Sequence, residues 1–190
     1  MVRFRPRSRA AGLAYDAATV VFGSVLIALA AGISIPLPFT PVMITLQTLV
    51  ILVLAASVGS VRAAATVGVY ILEGIAGLPV FQGGGAGLAH FAGPTGGYIV
   101  GFLVAAYVVG LICERGWGSN VLKTATAMLL GNAVIYLLGV PWLSRFTGWE
   151  TALSAGLYPF IVGDLIKVGI GALVVSGAWR LGRHHEDSTR

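Results

Sequence analysis

Two oppositely charged residues, Asp164 and Lys167, lie three positions apart in an otherwise apolar stretch of the chain. Residues three apart share one face of a helix, so the carboxylate and the ammonium can pair with each other or hold a polar ligand together. A charge at membrane depth costs roughly 2.5–3.5 kcal/mol on an insertion scale, so such groups normally face a bundle interior or a cavity. The pair is therefore our first candidate for a ligand site, and a structural ion pair that fixes helix register is the alternative.

A few other polar side chains fall within apolar stretches. Asn132 and Tyr136 are four apart and share a helix face, while Gln47 and Tyr98 lie near the starts of two other apolar segments. Each can bond a ligand or bridge two helices. Glu73, near the end of its segment, is expected to be a carboxylate that reaches the membrane interface, with a ligand or proton site as the alternative.

The sequence lacks the motifs of nucleotide, hydrolytic and metal chemistry. The glycine-rich run at positions 83–87 has no Gly-Lys-Ser/Thr ending, so we expect no ATP hydrolysis. HExxH, GxSxG and metal-spaced clusters of His or carboxylates are missing as well. The single cysteine, Cys113, lies in an apolar run and is expected to pack there. We therefore expect a binding protein that is not an enzyme and has no metal or cofactor.

The composition places the chain in a membrane. Its 190 residues are 57% hydrophobic and only 10% charged, with a mean hydropathy of +0.91. Soluble domains carry about 25% charged residues because water is their outer solvent. The pI is near 9.8, but the basic residues are scattered without aromatic platforms, which argues against nucleic acid as a partner. The sequence predicts an all-α integral membrane protein with lipid as its surroundings.

Six apolar segments approach the length of about 20 residues that a spanning helix needs. They are Ala17–Ile35, Val42–Ser57, Ala63–Leu78, Thr95–Cys113, Val121–Val140 and Leu157–Leu181. Prolines at 36, 38, 41, 79, 94, 141 and 159 are expected to mark segment ends. The predicted organisation is a basic segment at 1–16, a six-helix membrane domain at 17–181 and a polar tail at 182–190.

Basic residues predict the orientation of the bundle. An even number of spans puts both termini on one side of the membrane, which collects ten basic residues: Arg3, Arg5, Arg7, Arg9, Arg62, Arg115, Lys123, Arg180, Arg183 and Arg190. The other side holds Arg145 alone, and Lys167 lies within the membrane. Because basic loops stay in the cytoplasm, both termini are predicted to be cytoplasmic.

The longest connections, Pro79–Pro94 and Pro141–Gly156, are predicted on the outer side. The stretch Pro79–Pro94 is apolar and rich in glycine, which is unusual for a solvated loop. Such a segment is suited to folding back over a cavity, and His90 within it is expected to be an ordinary loop histidine. We expect it to be a lid over an outward-facing pocket that contains Asp164 and Lys167.

Several motifs follow one another in fixed order along nearly the whole chain apart from its tails. They are Pro38–Val42 running into Ile44–Gln47, Gly77–Phe81, Gly93–Tyr98 with Gly101-Phe102, Gly131-Asn132 with Ile135-Tyr136 and Trp142-Leu143, and Pro159-Phe160 followed by Gly163-Asp164 and Lys167. This ordered set resembles the BioY family, the biotin-binding S components of energy-coupling-factor (ECF) transporters.

The resemblance implies a six-helix S-component fold that captures biotin from outside with high affinity. It also implies partners: a transmembrane coupling protein and paired ABC-type ATPases in the cytoplasmic membrane. Asp164 and Lys167 are carried over as ligand contacts, and the segment around Phe81 and Gln82 as the lid. Helix 1 is expected to meet the coupling protein through the small residues Ala10, Ala14 and Ala18.

Biotin fits this residue inventory. Its apolar fused rings match Phe39, Phe81 and Tyr98, while its ureido group and carboxylate call for polar partners. Asp164, Asn132 and Gln82 are assigned to those polar groups. Lys167 is assigned either to the carboxylate or to orienting Asp164, and the end of biotin that meets the pair stays open.

Two other function classes stay open at this stage. One is a solitary or homo-oligomeric secondary transporter of biotin or another small carboxylate, coupled through Glu73 or Asp164. The other is a small intramembrane enzyme. Dependence of uptake on a proton gradient would favour the first, and chemical change in a bound ligand would favour the second.

Overall fold

The computed structural model describes residues 8–188, with side chains for residues 8–181. Of the residues that predict orientation, Arg3, Arg5, Arg7 and Arg190 lie outside the described residues. The described part of the chain is almost entirely helical. Its helices are α1 (Arg9–Gly32), α2 (Gln47–Val58), α3 (Ser60–Ile75), α4 (Gly87–Phe91), α5 (Gly96–Glu114), α6 (Val121–Thr147), α7 (Trp149–Gly156) and α8 (Tyr158–Ser188).

Two short strands and two 3₁₀ turns complete the structure. Strand β1 (Ser34–Ile35) pairs antiparallel with β2 (Ile44–Thr45), within the connection between α1 and α2. One 3₁₀ turn spans Gln82–Gly84 and the other Trp117–Ser119.

Four helical stretches are long and apolar enough to cross a membrane: Arg9–Gly32, Gly96–Glu114, Val121–Thr147 and Trp149–Leu181. Helix α2 is apolar but has 12 residues, and α3 has 16. At about 1.5 Å per residue they reach about 18 and 24 Å, less than the roughly 30 Å of a hydrocarbon core. The chain is therefore a helical multi-pass membrane protein, while the count of six spans stays a prediction.

The boundaries of the first and last helices differ from those predicted. Helix α1 begins at Arg9 rather than Ala17, because the Ser8 hydroxyl accepts a hydrogen bond from Ala11 N (3.2 Å) and caps it. At the other end, α8 continues through the predicted polar tail to Ser188.

Pro141 does not end its helix, contrary to prediction. Helix α6 runs through it to Thr147, and the predicted loop after it is helical as well, since α7 follows directly. A proline inside a helix removes one backbone hydrogen bond without forcing the helix to stop. The break comes at Gly148, whose φ of 80° is the left-handed conformation that glycine adopts most readily.

Helix α5 occupies the centre of the bundle, packed against α2, α3 and α6. Glycines allow the close approach: a Cβ at Gly101 would lie 2.9 Å from Ile135 Cα on α6, and one at Gly110 would lie 2.5 Å from Ser60 Cα on α3. This packing leaves a space between the ends of α2, α5, α6 and α8.

The two ends of the bundle have different characters. One end carries the connections at 33–46, 76–95 and 148–157, and we call it the cavity end. At the opposite end the helices are tied directly by polar contacts. Glu114 accepts a hydrogen bond from Ser60 N (2.8 Å), and the hydroxyls of Thr124 and Ser176 are 3.2 Å apart.

Candidate ligand-binding site

The Asp164–Lys167 pair forms as the spacing predicts. Both residues are on α8, and Lys167 Nζ lies 2.9 Å from Asp164 Oδ1. The side chain of Lys167 is 11% exposed, and that of Asp164 is 8% exposed. The pair faces the bundle interior, where charges repay their desolvation only with good geometry and further hydrogen bonds.

Two hydroxyl groups from other helices provide those further bonds. Tyr136 on α6 donates a short hydrogen bond from its hydroxyl to Asp164 Oδ2. Thr48, in the first turn of α2, accepts from Lys167 Nζ at 3.0 Å and lies 3.4 Å from Asp164 Oδ1. Asp164, Lys167, Tyr136 and Thr48 thus form one network, the charge cluster, which joins three helices.

The charge cluster forms part of the wall of a cavity whose empty space of about 580 Å³ includes open solvent. Ligand pockets typically have mostly apolar walls with a few polar groups. The wall here fits that description. It consists of Val42, Met43, Thr45, Thr48, Tyr70, Gln82, Thr95, Tyr98, Ile99, Phe102, Ile135, Tyr136, Phe160, Asp164 and Lys167.

Hydrogen bonds hold the other polar side chains of the wall in place. Gln47 Nε2 donates to the Tyr70 hydroxyl (2.7 Å), which in turn donates to Val80 O (3.2 Å). Gln47 therefore bridges α2 and α3, as its structural interpretation predicts. The Tyr98 hydroxyl donates to Gly156 O (2.8 Å), so Tyr98 contributes ring surface to the wall while its polar end is occupied.

The predicted lid segment, Pro79–Pro94, contributes one residue to the cavity wall. Phe81 is 1% exposed and packs edge-on against Tyr70 (ring centroids 5.6 Å apart) and parallel to His90 (5.3 Å). Next to it, Gln82 lines the cavity and binds the α1–α2 connection with both ends of its amide. Oε1 accepts from Met43 N (3.2 Å), and Nε2 donates to Pro41 O (3.0 Å).

Three predicted ligand residues are not in the cavity wall. Phe39 is 58% exposed, and Phe81 is buried against the rings of Tyr70 and His90. Asn132 is 6% exposed and lies one helical turn from Tyr136, with no hydrogen-bond partner for its Oδ1 among the described residues. The structure therefore brings together Asp164, Lys167, Tyr136, Tyr98 and Gln82 but leaves Asn132, Phe39 and Phe81 outside the wall.

The three alanines predicted to meet a partner lie at the opposite end of the bundle. Ala10, Ala14 and Ala18 are all exposed on α1. Nearby, Arg62 on α3 binds Asp16 (Nε to Oδ1, 2.7 Å) and lies over the ring of Tyr15. These contacts fix the first half of α1 against α3 and leave the alanine face uncovered.

Sequence reasoning missed several wall residues. Thr48 is the most consequential, because it contacts both charges; its position directly after Gln47 in an apolar segment was the available signal. Met43, Phe102 and Phe160 are typical of any membrane helix or its flank, so nothing in their type or spacing separates wall residues from lipid-facing ones.

Three further predictions concern residues away from the charge cluster. Glu73 does not simply extend to the interface, because its Oε1 accepts a hydrogen bond from the buried Ser24 hydroxyl of α1 (3.0 Å). His90 is on α4 instead of in a plain loop; it stacks on Phe81, and burial lowers its pKa. Cys113 is 3% exposed and packs in the core, as predicted.

The bundle and its cavity define a class of protein: a multi-pass membrane protein with a mostly apolar cavity whose wall includes one charge cluster and Gln82 of the segment Pro79–Pro94. Comparison with known families agrees. Residues 5–184 match the BioY family, and the chain belongs to that family.

Individual relatives support the assignment. The chain is 39% identical to the biotin transporter BioY of Rhodobacter capsulatus, over 81% of this chain and 87% of that protein. It is 38% identical to the biotin transporter BioY of Thermotoga maritima, over 78% and 86%. The crystal structure of the S-component for biotin from an ECF-type ABC transporter superposes with a TM-score of 0.82 at 26% identity, covering 92% of this chain and 95% of that one.

Proposed function

We propose that this chain binds biotin with high affinity and carries it into the cell as the substrate-specific component of an ECF transporter. The observation that carries the proposal is the cavity with a buried charge cluster, in a chain whose relatives are named biotin transporters. It is a transporter component and not an enzyme, with biotin as cargo and no cofactor.

The unused hydrogen-bonding capacity of the charge cluster indicates how biotin lies. Lys167 has three N–H donors, two of which go to Asp164 and Thr48. Asp164 can accept about four bonds and takes those from Lys167, Thr48 and Tyr136. One donor and one acceptor thus remain for a ligand, which matches the carbonyl and an N–H of the ureido group.

The charge of the cluster also favours an orientation in which the ureido group, and not the carboxylate, lies beside Asp164 and Lys167. Asp164 and Lys167 together are formally neutral, so a ligand carboxylate beside them would bring an uncompensated negative charge into a poorly hydrated site. At the mouth, water can solvate the carboxylate. The ureido rings therefore lie against Phe102 and Phe160, and the acid tail points toward Gln82.

Titration of the pure protein with biotin tests the proposed binding. The detergent-purified chain, without ATP or partners, should bind biotin with a Kd below 1 µM, which corresponds to more than about 8 kcal/mol. Asp164→Asn should weaken binding, whereas Glu150→Gln, a matched change at an exposed carboxylate on α7, should not. If the folded chain shows neither heat nor retention of labelled biotin, the assignment fails.

We further propose six spans with both termini in the cytoplasm, so that the cavity end faces outward. Loop charges support this, because Arg62, Arg115 and Lys123 are at the opposite end. In a Cys113→Ala background, an impermeant thiol reagent outside the cell should label Ala89→Cys on α4 but not Arg115→Cys. The reverse pattern would refute the orientation.

Delivery requires partners, which we propose to be a transmembrane coupling protein and paired ABC-type ATPases in the cytoplasmic membrane. The exposed alanine face of α1 is the proposed contact. Ala14→Leu should reduce co-purification with the coupling protein and biotin uptake without changing biotin affinity. Ala133→Leu, on the exposed face of α6, is the matched control.

Cells that lack the ATPases but express this chain provide the final control. Equal uptake in those cells would instead support solitary or homo-oligomeric transport.

A further inference from the structure

Thr48 occupies an unusual position between two opposite charges. Its hydroxyl oxygen is 3.0 Å from Lys167 Nζ and 3.4 Å from Asp164 Oδ1, while those two charged atoms are 2.9 Å from each other. The three groups form a closed triangle. A hydroxyl suits this place, because it accepts a bond from the ammonium and has one proton to give to the carboxylate.

The triangle restricts the direction of the ammonium group. Lysine has a flexible four-carbon stem, and a single carboxylate partner leaves the ammonium free to rotate about that contact. A second acceptor on a different helix removes this freedom. With two N–H groups turned toward Asp164 and Thr48, the third is directed away from both of them.

The origin of Thr48 strengthens the constraint. It belongs to the first turn of α2, whereas Asp164 and Lys167 are on α8, so the triangle spans a helix interface. Gln47, the preceding residue, is 3% exposed and bonded to Tyr70, which anchors this turn of α2 to α3. The bond from Gln47 to Tyr70 thus fixes the turn that carries Thr48, while Thr48 itself contacts the ammonium of Lys167.

We propose that Thr48 is a positioning residue that aims the third N–H of Lys167 at the ligand. The inference rests on the proposed function, in which that N–H meets an acceptor oxygen of biotin. Thr48 acts through Lys167, so its contribution is present only when Lys167 is present and when the ligand offers an acceptor at that place.

Substitutions that separate shape from hydrogen bonding test this role. Thr48→Val keeps the volume and removes the hydroxyl, and it should weaken biotin binding about tenfold or more in calorimetric titration of the purified chain. Thr48→Ser keeps the hydroxyl and should stay close to the parent. Thr126→Val, at an exposed threonine on α6, is the matched control and should leave the Kd unchanged.

A double-mutant cycle distinguishes positioning from general packing. In a Lys167→Met background, Thr48→Val should have little further effect on the Kd, because the group that it orients is gone. Effects that multiply as independent factors would refute the inference. Thr48→Ala, which adds no bulk, replaces the valine variant in both arms if that variant does not fold.

Ligand analogues give a readout that a purely structural role would not move. Iminobiotin lacks the ureido carbonyl oxygen, and methyl-tail biotin, which carries a methyl group in place of the carboxylate, lacks the carboxylate oxygens. The effect of Thr48→Val should disappear for the analogue that lacks the acceptor oxygen facing Lys167. Loss of the effect with either analogue supports the inference, and loss with iminobiotin also supports the orientation proposed above.

An equal effect on biotin, iminobiotin and methyl-tail biotin would overturn the positioning role. Failure of the parent chain to bind biotin would refute the proposed function itself, so the two failures are distinguishable. Parental binding together with an unchanged Kd for Thr48→Val would refute only the inference.

Discussion

Removing one charge from the Asp164–Lys167 pair should destabilise the bundle by an amount that depends on which charge is removed. Asp164→Leu leaves the Lys167 ammonium, whose side chain is 11% exposed, with Thr48 as its one remaining partner among the described residues. Breaking a buried ion pair in this way costs about 3–5 kcal/mol.

The opposite deletion leaves a better-satisfied group. In Lys167→Met, the Asp164 carboxylate keeps the Tyr136 hydroxyl and has the Thr48 hydroxyl nearby. The two hydrogen bonds from the ammonium, to Asp164 and Thr48, are lost. We expect a cost at the lower end of the same range, about 3 kcal/mol, because the carboxylate keeps its hydroxyl partners. The double variant carries neither charge and should regain most of the stability.

Thermal unfolding in detergent without biotin measures these differences, and calorimetric titration measures binding. Each variant should bind biotin more weakly by about 1.5–3 kcal/mol per lost ligand bond, or about 10- to 150-fold. Glu150→Leu and Arg180→Met remove exposed charges and serve as matched controls.

Two results would refute the reasoning. If Lys167→Met destabilised the protein as much as Asp164→Leu, the number of hydrogen-bond partners left to the remaining charge would not determine the stability of this site. If the double variant bound biotin with parental affinity, the pair would be a register device and the ligand site would lie elsewhere in the cavity.

Two further predictions concern the lid segment. Phe81→Ala should lower the free energy of unfolding by about 3–5 kcal/mol, because a fully buried ring between Tyr70 and His90 is removed. Chemical denaturation measures this loss, and a loss below about 1 kcal/mol would contradict the anchoring role. Gln82→Ala should speed both association and dissociation of biotin, because the Gln82 amide bonds the lid segment to Pro41 and Met43. Stopped-flow kinetics measure both rates. If dissociation alone became faster, Gln82 would instead be a direct ligand contact.

Much of the site could be predicted from the sequence because charges are rare in membrane segments. The spacing of Asp164 and Lys167 predicts their pairing, and the separation of Asn132 from Tyr136 places both on one face of α6. The spacing does not show which of the two side chains points into the cavity and which packs against a neighbouring helix. Tyr136 reaches Asp164, whereas Asn132, one turn away, lies outside the cavity wall.

Other features depended on tertiary packing that leaves no local pattern. Pro141 resembles the other terminal prolines, yet α6 continues through it because the following turn packs on its neighbours, with Leu143 fully buried. Thr48 was missed for a related reason: a threonine in an apolar helix commonly bonds its own backbone, and only the position of α8 makes it a partner of two charges.

The short length of α2 has a consequence for how the cavity arises. A helix of 12 residues covers about 18 Å, so it falls about 12 Å short of crossing a 30 Å hydrocarbon layer. The missing turns are replaced by the non-helical stretch from Ile33 to Leu46, whose backbone groups must find partners without a helix. Val42, Met43 and Thr45 of this stretch form part of the cavity wall, so one side of the cavity consists of non-helical chain where a full-length helix would have continued.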